Sequence, residues 1–145
     1  MAVERYKTKY GTVFHRPTCK SDWKNIVTRS SKRKDGSVVP FTTMTLQEPA
    51  LLSIRAVEKQ LSRPWKKFYV RVTGTRRTCE LQAQLYASDP VRYAPPNSGL
   101  HTHGLAIDVH TAFLSEKLRK ALLAEGWHQS RPVDEPWHFS YRLTA

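Results

Sequence analysis

Apolar positions along the chain follow two rhythms. In "LQEPALLSIRAVEKQLS" (46–62) Leu51, Ile54, Val57 and Leu61 recur near helical spacing, with Pro49 where a first turn tolerates it, which predicts a helix. "KFYVRVT" (67–73) alternates Phe68, Val70 and Val72 against Tyr69 and Arg71, the period of a half-buried strand. Thr78 is placed to cap a helix reaching about Ser88, and "DPVRYAPPNSG" (89–99) then forces a loop. A strand over 104–109, a helix in "LSEKLRKALLAEG" (114–126) that stops at Gly126, and a last strand in "WHFSYR" (137–142) complete the reading. "TRSSKRKDGS" (28–37) reads as an exposed basic loop closed by an Asp-Gly turn. Helices and strands mix without regular alternation, so the expected class is α+β, a single small domain with an antiparallel sheet flanked by helices.

Composition narrows the possibilities. A chain of 145 residues suits one domain that buries its own core, and no apolar run is long enough for a membrane span. The opening "MAVERYKTKYG" has no apolar signal-peptide core, so the expectation is synthesis in the cytoplasm. On that ground Cys19 and Cys79, which form no Cys-x-x-Cys pair, are expected to be free structural thiols.

Charge is lopsided. Residues 1–77 hold 18 Lys and Arg against 5 Asp and Glu, whereas 78–145 hold 6 against 7, within a net charge of +12. A field of that size favours a polyanionic partner such as nucleic acid, anionic lipid or an anionic cell-wall polymer.

Five of the six histidines lie in the last 45 residues, which directs the search for chemistry there. "SGLHTHGLAIDVH" (98–110) sets three histidines and an aspartate around glycines. Zinc takes imidazole nitrogen and carboxylate oxygen at about 2 Å, and its catalytic sites use three protein ligands and a water. His101 and Asp108 would stand roughly 23 Å apart on an extended chain. The backbone must therefore reverse, and Gly104 permits it. A strand from Leu105 then delivers Asp108, with Ala106 leaving room on the same face. "DEPWHFSY" (134–141) supplies a third ligand, His138, while Glu135 stands beside the ion, free to take a proton, and Trp137 packs beneath. On the residues alone, His103 and His110 remain alternative ligands.

"HTHGLAID" and "EPWH" resemble the HxxGxAxD and ExWH segments of the zinc D-alanyl-D-alanine carboxypeptidases. Their relatives include VanY-type and VanX-type peptidases and phage endolysins that cut peptidoglycan stem peptides. "VTGTRRTCELQAQLY" is similar to the strand-then-helix stretch in which that family carries an arginine and, five residues on, a glutamine, here Arg77 and Gln82. The likeness covers about residues 67–142; residues 1–45 form a basic N-terminal segment without a counterpart. It implies the D,D-carboxypeptidase or Hedgehog-like fold with Zn²⁺ on the sheet, held by His101, Asp108 and His138. It further implies Glu135 as catalytic base and Arg77 as the group that stabilises the attacked carbonyl oxygen. Arg76, Gln82 and Trp137 complete the expected substrate contacts. Two departures stand out: Arg76 replaces a frequent aromatic residue, and Gly99 replaces a frequent serine, with Ser98 one place early.

The expected function is a monomeric zinc peptidase of endolysin type. It would wait in the cytoplasm and act on peptidoglycan after membrane breach, its basic front half drawn to anionic wall polymers. A D-alanyl-D-alanine carboxypeptidase that trims the stem terminus is the alternative. A nucleic-acid-binding module with a structural zinc is a remoter one, opposed by the absence of cysteines near the cluster and of a nucleic-acid fold motif, so no nucleic-acid partner is expected.

Overall fold

The structure, a computed structural model, describes residues 4–15, 25–95 and 100–143. It is a small α+β domain with antiparallel sheets and three α-helices, built in the order β1 (Glu4–Thr8), β2 (Gly11–His15), β3 (Ile26–Arg29), β4 (Met44–Gln47), α1 (Glu48–Leu61), β5 (Val72–Gly74), α2 (Cys79–Ser88), β6 (Ala106–Val109), α3 (Glu116–Ala124), β7 (Trp127–His128) and β8 (His138–Tyr141). A short 3-10 turn over Thr111–Phe113 links β6 to α3. β1 pairs with β2, β3 with β4, and a four-stranded sheet runs in the order β5-β6-β8-β7, every pairing antiparallel.

Helix α1 is the hub. Its apolar face buries Leu51, Ile54 and Val57, against which α3 sets Leu118 and Leu122 and the sheet sets Ile107, Val109 and Phe139. The hub has one polar seam: Trp127 donates its indole N–H to Ser53 Oγ at 2.9 Å, and that hydroxyl donates to the Glu125 carbonyl at 2.9 Å. The front of the chain shares this core through Val13, Met44 and Leu46, each fully buried. Buried Gln47 ties β2 to the site-bearing turn. Its amide nitrogen donates to the carbonyls of Phe14 and His103, and its oxygen accepts from the Phe14 N–H.

Local signals set the helix ends. The Thr78 hydroxyl accepts from the Leu81 N–H at 3.1 Å, and Ser115 does the same for Leu118. Gly126, at φ +99°, stands just past α3. The 28–37 stretch ends in a turn at Asp35 and Gly36, as expected, but its first two residues belong to β3.

Three expectations are corrected. α1 starts at Glu48, because residues 46–47 close β4. The 67–73 strand shrinks to Val72–Gly74, although Val70 and Val72 are buried as the alternation requires. Side chains intercept its ladder: the Phe68 N–H donates to Ser62 Oγ and the Val70 N–H to Glu58 Oε2, both at 2.9 Å. Cys79 is disulfide-bonded, not a free thiol, while Cys19 lies outside the described residues. The thiol expectation rested on compartment, which does not determine which side chains the fold brings together.

Candidate metal centre and its cleft

Three segments meet at one end of the four-stranded sheet. The turn at 101–104 carries His101, β6 carries Asp108, and β8 carries His138, directly opposite Asp108 in the ladder. Gly104 makes the reversal, as expected. Its φ is +68°, and a Cβ there would lie 2.9 Å from the Gln47 backbone nitrogen.

The three side chains form a group that could hold a metal ion. His138 Nδ1 lies 3.0 Å from Asp108 Oδ1 and 3.3 Å from His101 Nε2, and His101 Nε2 lies 3.4 Å from the same carboxylate oxygen. Hydrogen bonds behind the group fix what each presents. His101 Nδ1 sits 2.7 Å from the Thr75 carbonyl, an acceptor only, so Nδ1 carries the proton and the Nε2 lone pair faces inward. Asp108 Oδ2 accepts from Arg77 at 3.2 Å, which leaves Oδ1 to the imidazoles. Burial raises the Asp108 pKa, but His101 and His138, when protonated, donate to its carboxylate, and their hydrogen bonds and charge outweigh burial and hold the carboxyl well below the usual carboxylate range.

A cleft of about 530 Å³ opens over this group, and Arg77, Gln82, Glu135 and Trp137 also line it. Glu135 and His138 reach it together because "EPWH" is a four-residue turn, closed by the His138 N–H donating to the Glu135 carbonyl at 3.0 Å, with Pro136 in its second position. Glu135 stands outside the metal-capable group. Its carboxylate oxygens face Arg131 at 3.4 Å and Arg92 at 4.0 Å.

Among the described residues, Arg77, Gln82 and Trp137 of the remaining expected set line the cleft and Arg76 does not. Arg77 donates to Gln82 Oε1 as well as to Asp108, and buried Gln82 donates onward to the Ala94 carbonyl at 2.8 Å, tying α2 to the cleft loop. Arg76 is absent from the described residues that line the cleft, and its backbone N–H donates to the Thr45 carbonyl. Trp137 is half-buried and lines the cleft, and its carbonyl accepts from the Val109 N–H at 2.8 Å. His103 is buried in the core with its ring edge-on to His15, and His110 packs against Phe41 and Phe113, so neither alternative ligand joins the group. Gly99 lies outside the described residues.

Sequence reasoning missed four contributors. Thr75 sets the His101 tautomer, and Arg92 and Arg131 flank Glu135. The fourth is Gly74, the cross-strand partner of Asp108, where a Cβ would lie 3.2 Å from Asp108 Oδ2. A glycine inside a strand pattern signals such close approach, and Arg131 lies four residues before Glu135, a spacing that could have signalled the pair, whereas Arg92 carried no local signal. No family model and no curated protein sequence matches this chain.

Proposed function

We propose that this protein is a zinc-dependent peptidase of endolysin type, with a D,D-carboxypeptidase-like arrangement, that hydrolyses peptide bonds in peptidoglycan stem peptides. The spacing of the three donor atoms carries the reading. Ligands about 2 Å from a tetrahedral ion stand about 3.3 Å apart, and the three separations here are 3.0, 3.3 and 3.4 Å. Two imidazoles and one carboxylate suit Zn²⁺ and leave a fourth position open to the cleft. Bound there, zinc would supply Lewis acidity and a water of pKa lowered toward about 7.

The chain's own residues supply the rest. Glu135, in the same cleft, accepts the proton of the attacking water and returns it to the leaving amine. Arg92 and Arg131 hold its carboxylate over the site. Arg77 orients Asp108 with one arm, and its remaining N–H donors serve the oxygen of the attacked carbonyl, where negative charge develops. The basic front half draws the enzyme to anionic wall polymers. No helix among the described residues is long and apolar enough to cross a membrane. The working unit is a monomer, synthesised in the cytoplasm and acting on the wall after membrane breach.

Arg92 and Arg131 favour a second reading, a D-alanyl-D-alanine carboxypeptidase. That enzyme must recognise a free carboxylate beyond the scissile bond, and these two cations stand on the cleft wall. Both readings share one test. The purified protein should hold one metal ion per chain, lost in His101→Ala, Asp108→Ala and His138→Ala but kept in His110→Ala. Glu135→Gln should keep the metal while peptide hydrolysis falls about 10²-fold or more. Full metal content in His101→Ala would refute the ligand set.

A further inference from the structure

We propose a second binding site, sharing no lining residue with the catalytic cleft, that takes a polyol-phosphate polymer of the cell wall; the choice of polymer rests on the wall-peptidase reading. Two neighbouring features carry it.

The first is the turn that follows α1. Arg63 and Lys66 exchange both backbone hydrogen bonds, at 2.9 and 3.1 Å, around Pro64 and Trp65. Pro64 restricts its own φ, and the paired backbone holds the tip in one geometry. Trp65 stands on that tip 82% exposed. A large aromatic ring on a rigid support, left in water and flanked by cations, is a contact surface waiting for a partner.

The second is a groove of about 390 Å³ that begins one residue beyond the turn. Lys67 lines one wall, Lys32 another, and Lys59, from the end of α1, a third. All three lysines are exposed, and no ion pair holds them among the described residues. The one carboxylate in the lining, Glu58, is already engaged: Oε1 accepts from Arg55 at 2.8 Å and Oε2 from the Val70 N–H at 2.9 Å. Among the described residues, no carboxylate pairs with the three lysines that line the groove.

A ligand matching both features carries repeated negative charge and C–H groups that pack against an indole ring. A phosphodiester-linked polyol or sugar chain offers both. A bilayer fits less well, since interfacial binding buries an apolar face, and this groove is lined by lysine, serine and arginine with Glu58 and the half-buried rings of Phe68 and Tyr69, while Trp65 stands on the adjoining turn. Single-stranded nucleic acid sites stack successive bases on successive exposed rings, whereas Trp65 is the one largely exposed ring at this place among the described residues.

The test is equilibrium binding of fluorescent poly(glycerol phosphate) to the full chain across a salt series. The triple variant Lys32→Ala, Lys59→Ala, Lys67→Ala should bind at least tenfold more weakly, with the slope of log affinity against log salt shallower by about 2. Trp65→Ala should weaken binding about tenfold at an unchanged slope, as loss of an uncharged contact requires. A control that removes the same charge elsewhere, Lys7→Ala, Lys117→Ala, Lys120→Ala, should change affinity less than twofold. The site is refuted if the control matches the groove triple, or if an oligodeoxynucleotide or anionic vesicles bind more tightly than the polymer through the same residues. Hydrolysis of a small stem peptide, measured in parallel, should be unchanged in the groove variants. Polymer binding without hydrolysis would sink the peptidase reading alone, and hydrolysis without polymer binding would sink the groove alone.

Discussion

Two hydrogen bonds decide what the metal-capable group offers. Thr75 takes the proton side of His101, and Arg77 takes the far oxygen of Asp108, so a nitrogen and an oxygen lone pair are left converging. Partners of this kind orient ligands, and losing them commonly costs about 10- to 100-fold in metal affinity. Gly74 belongs to the same machinery without making a bond. Its missing Cβ is the space beside Asp108 Oδ2, where an added carbon would sit at 3.2 Å. Gly74→Ala should push the carboxylate off the Arg77 arm and weaken zinc about tenfold in a competing-chelator titration, with thermal unfolding little changed because Gly74 ends an edge strand. Unaltered zinc affinity would show that the carboxylate does not need that room. The reversal at Gly104 between His101 and Asp108 was legible in the residues, but they left His103 and His110 open, and only the family resemblance picked out the three side chains that the fold brings together. Arg92 and Arg131 were missed. Arg131 stands only four residues before Glu135, a local spacing that went unread, whereas Arg92 comes to Glu135 by the placement of a loop distant in sequence, which no local pattern encodes.

At the level of elements, the helices could be read because their ends are local events. Thr78 and Ser115 cap over three residues, and Gly126 stops α3 within one. The strand at 67–71 was lost for the opposite reason: whether an extended segment joins a ladder depends on partners elsewhere, and Ser62 and Glu58 took its N–H groups. The β1–β2 hairpin shows the same dependence. It is held to the end of α3 by Tyr10, which donates to Glu125 Oε2 at 2.5 Å. Burial, followed by that hydrogen bond and the Glu125 charge, raises the Tyr10 pKa from 10.0 to about 12. A proton held more tightly in the folded state stabilises it fully below the unfolded pKa and progressively less as pH rises through the folded one. The hairpin contact should therefore weaken between pH 10 and about 12. Urea unfolding should show the midpoint of the native protein falling across that window, and Tyr10→Phe should fall less steeply from a lower start at neutral pH. Parallel pH profiles for the two proteins would remove Tyr10 from the account.

Across the whole molecule, charge and cleft bear on which bond is cut. An enzyme that lyses a wall must sever the stem or the cross-bridge, since trimming a terminal D-alanine leaves the mesh intact. Retention on an insoluble polyanion would serve such an enzyme, and under the proposed function the front half of the chain, with 18 basic against 5 acidic residues, would supply it. Arg92 and Arg131 pull toward the carboxypeptidase, yet both already face Glu135, at 4.0 and 3.4 Å. If their work is to hold the base, replacing either by Ala should lower kcat for every substrate about equally. If they read a terminal carboxylate, the same change should raise KM for substrates with a free C-terminus and spare those whose terminus is amidated. We expect the first pattern, and with it an internal cut. Mass spectrometry of digested walls should find split stem peptides, and free D-alanine as the sole product would assign the cleft to the carboxypeptidase instead.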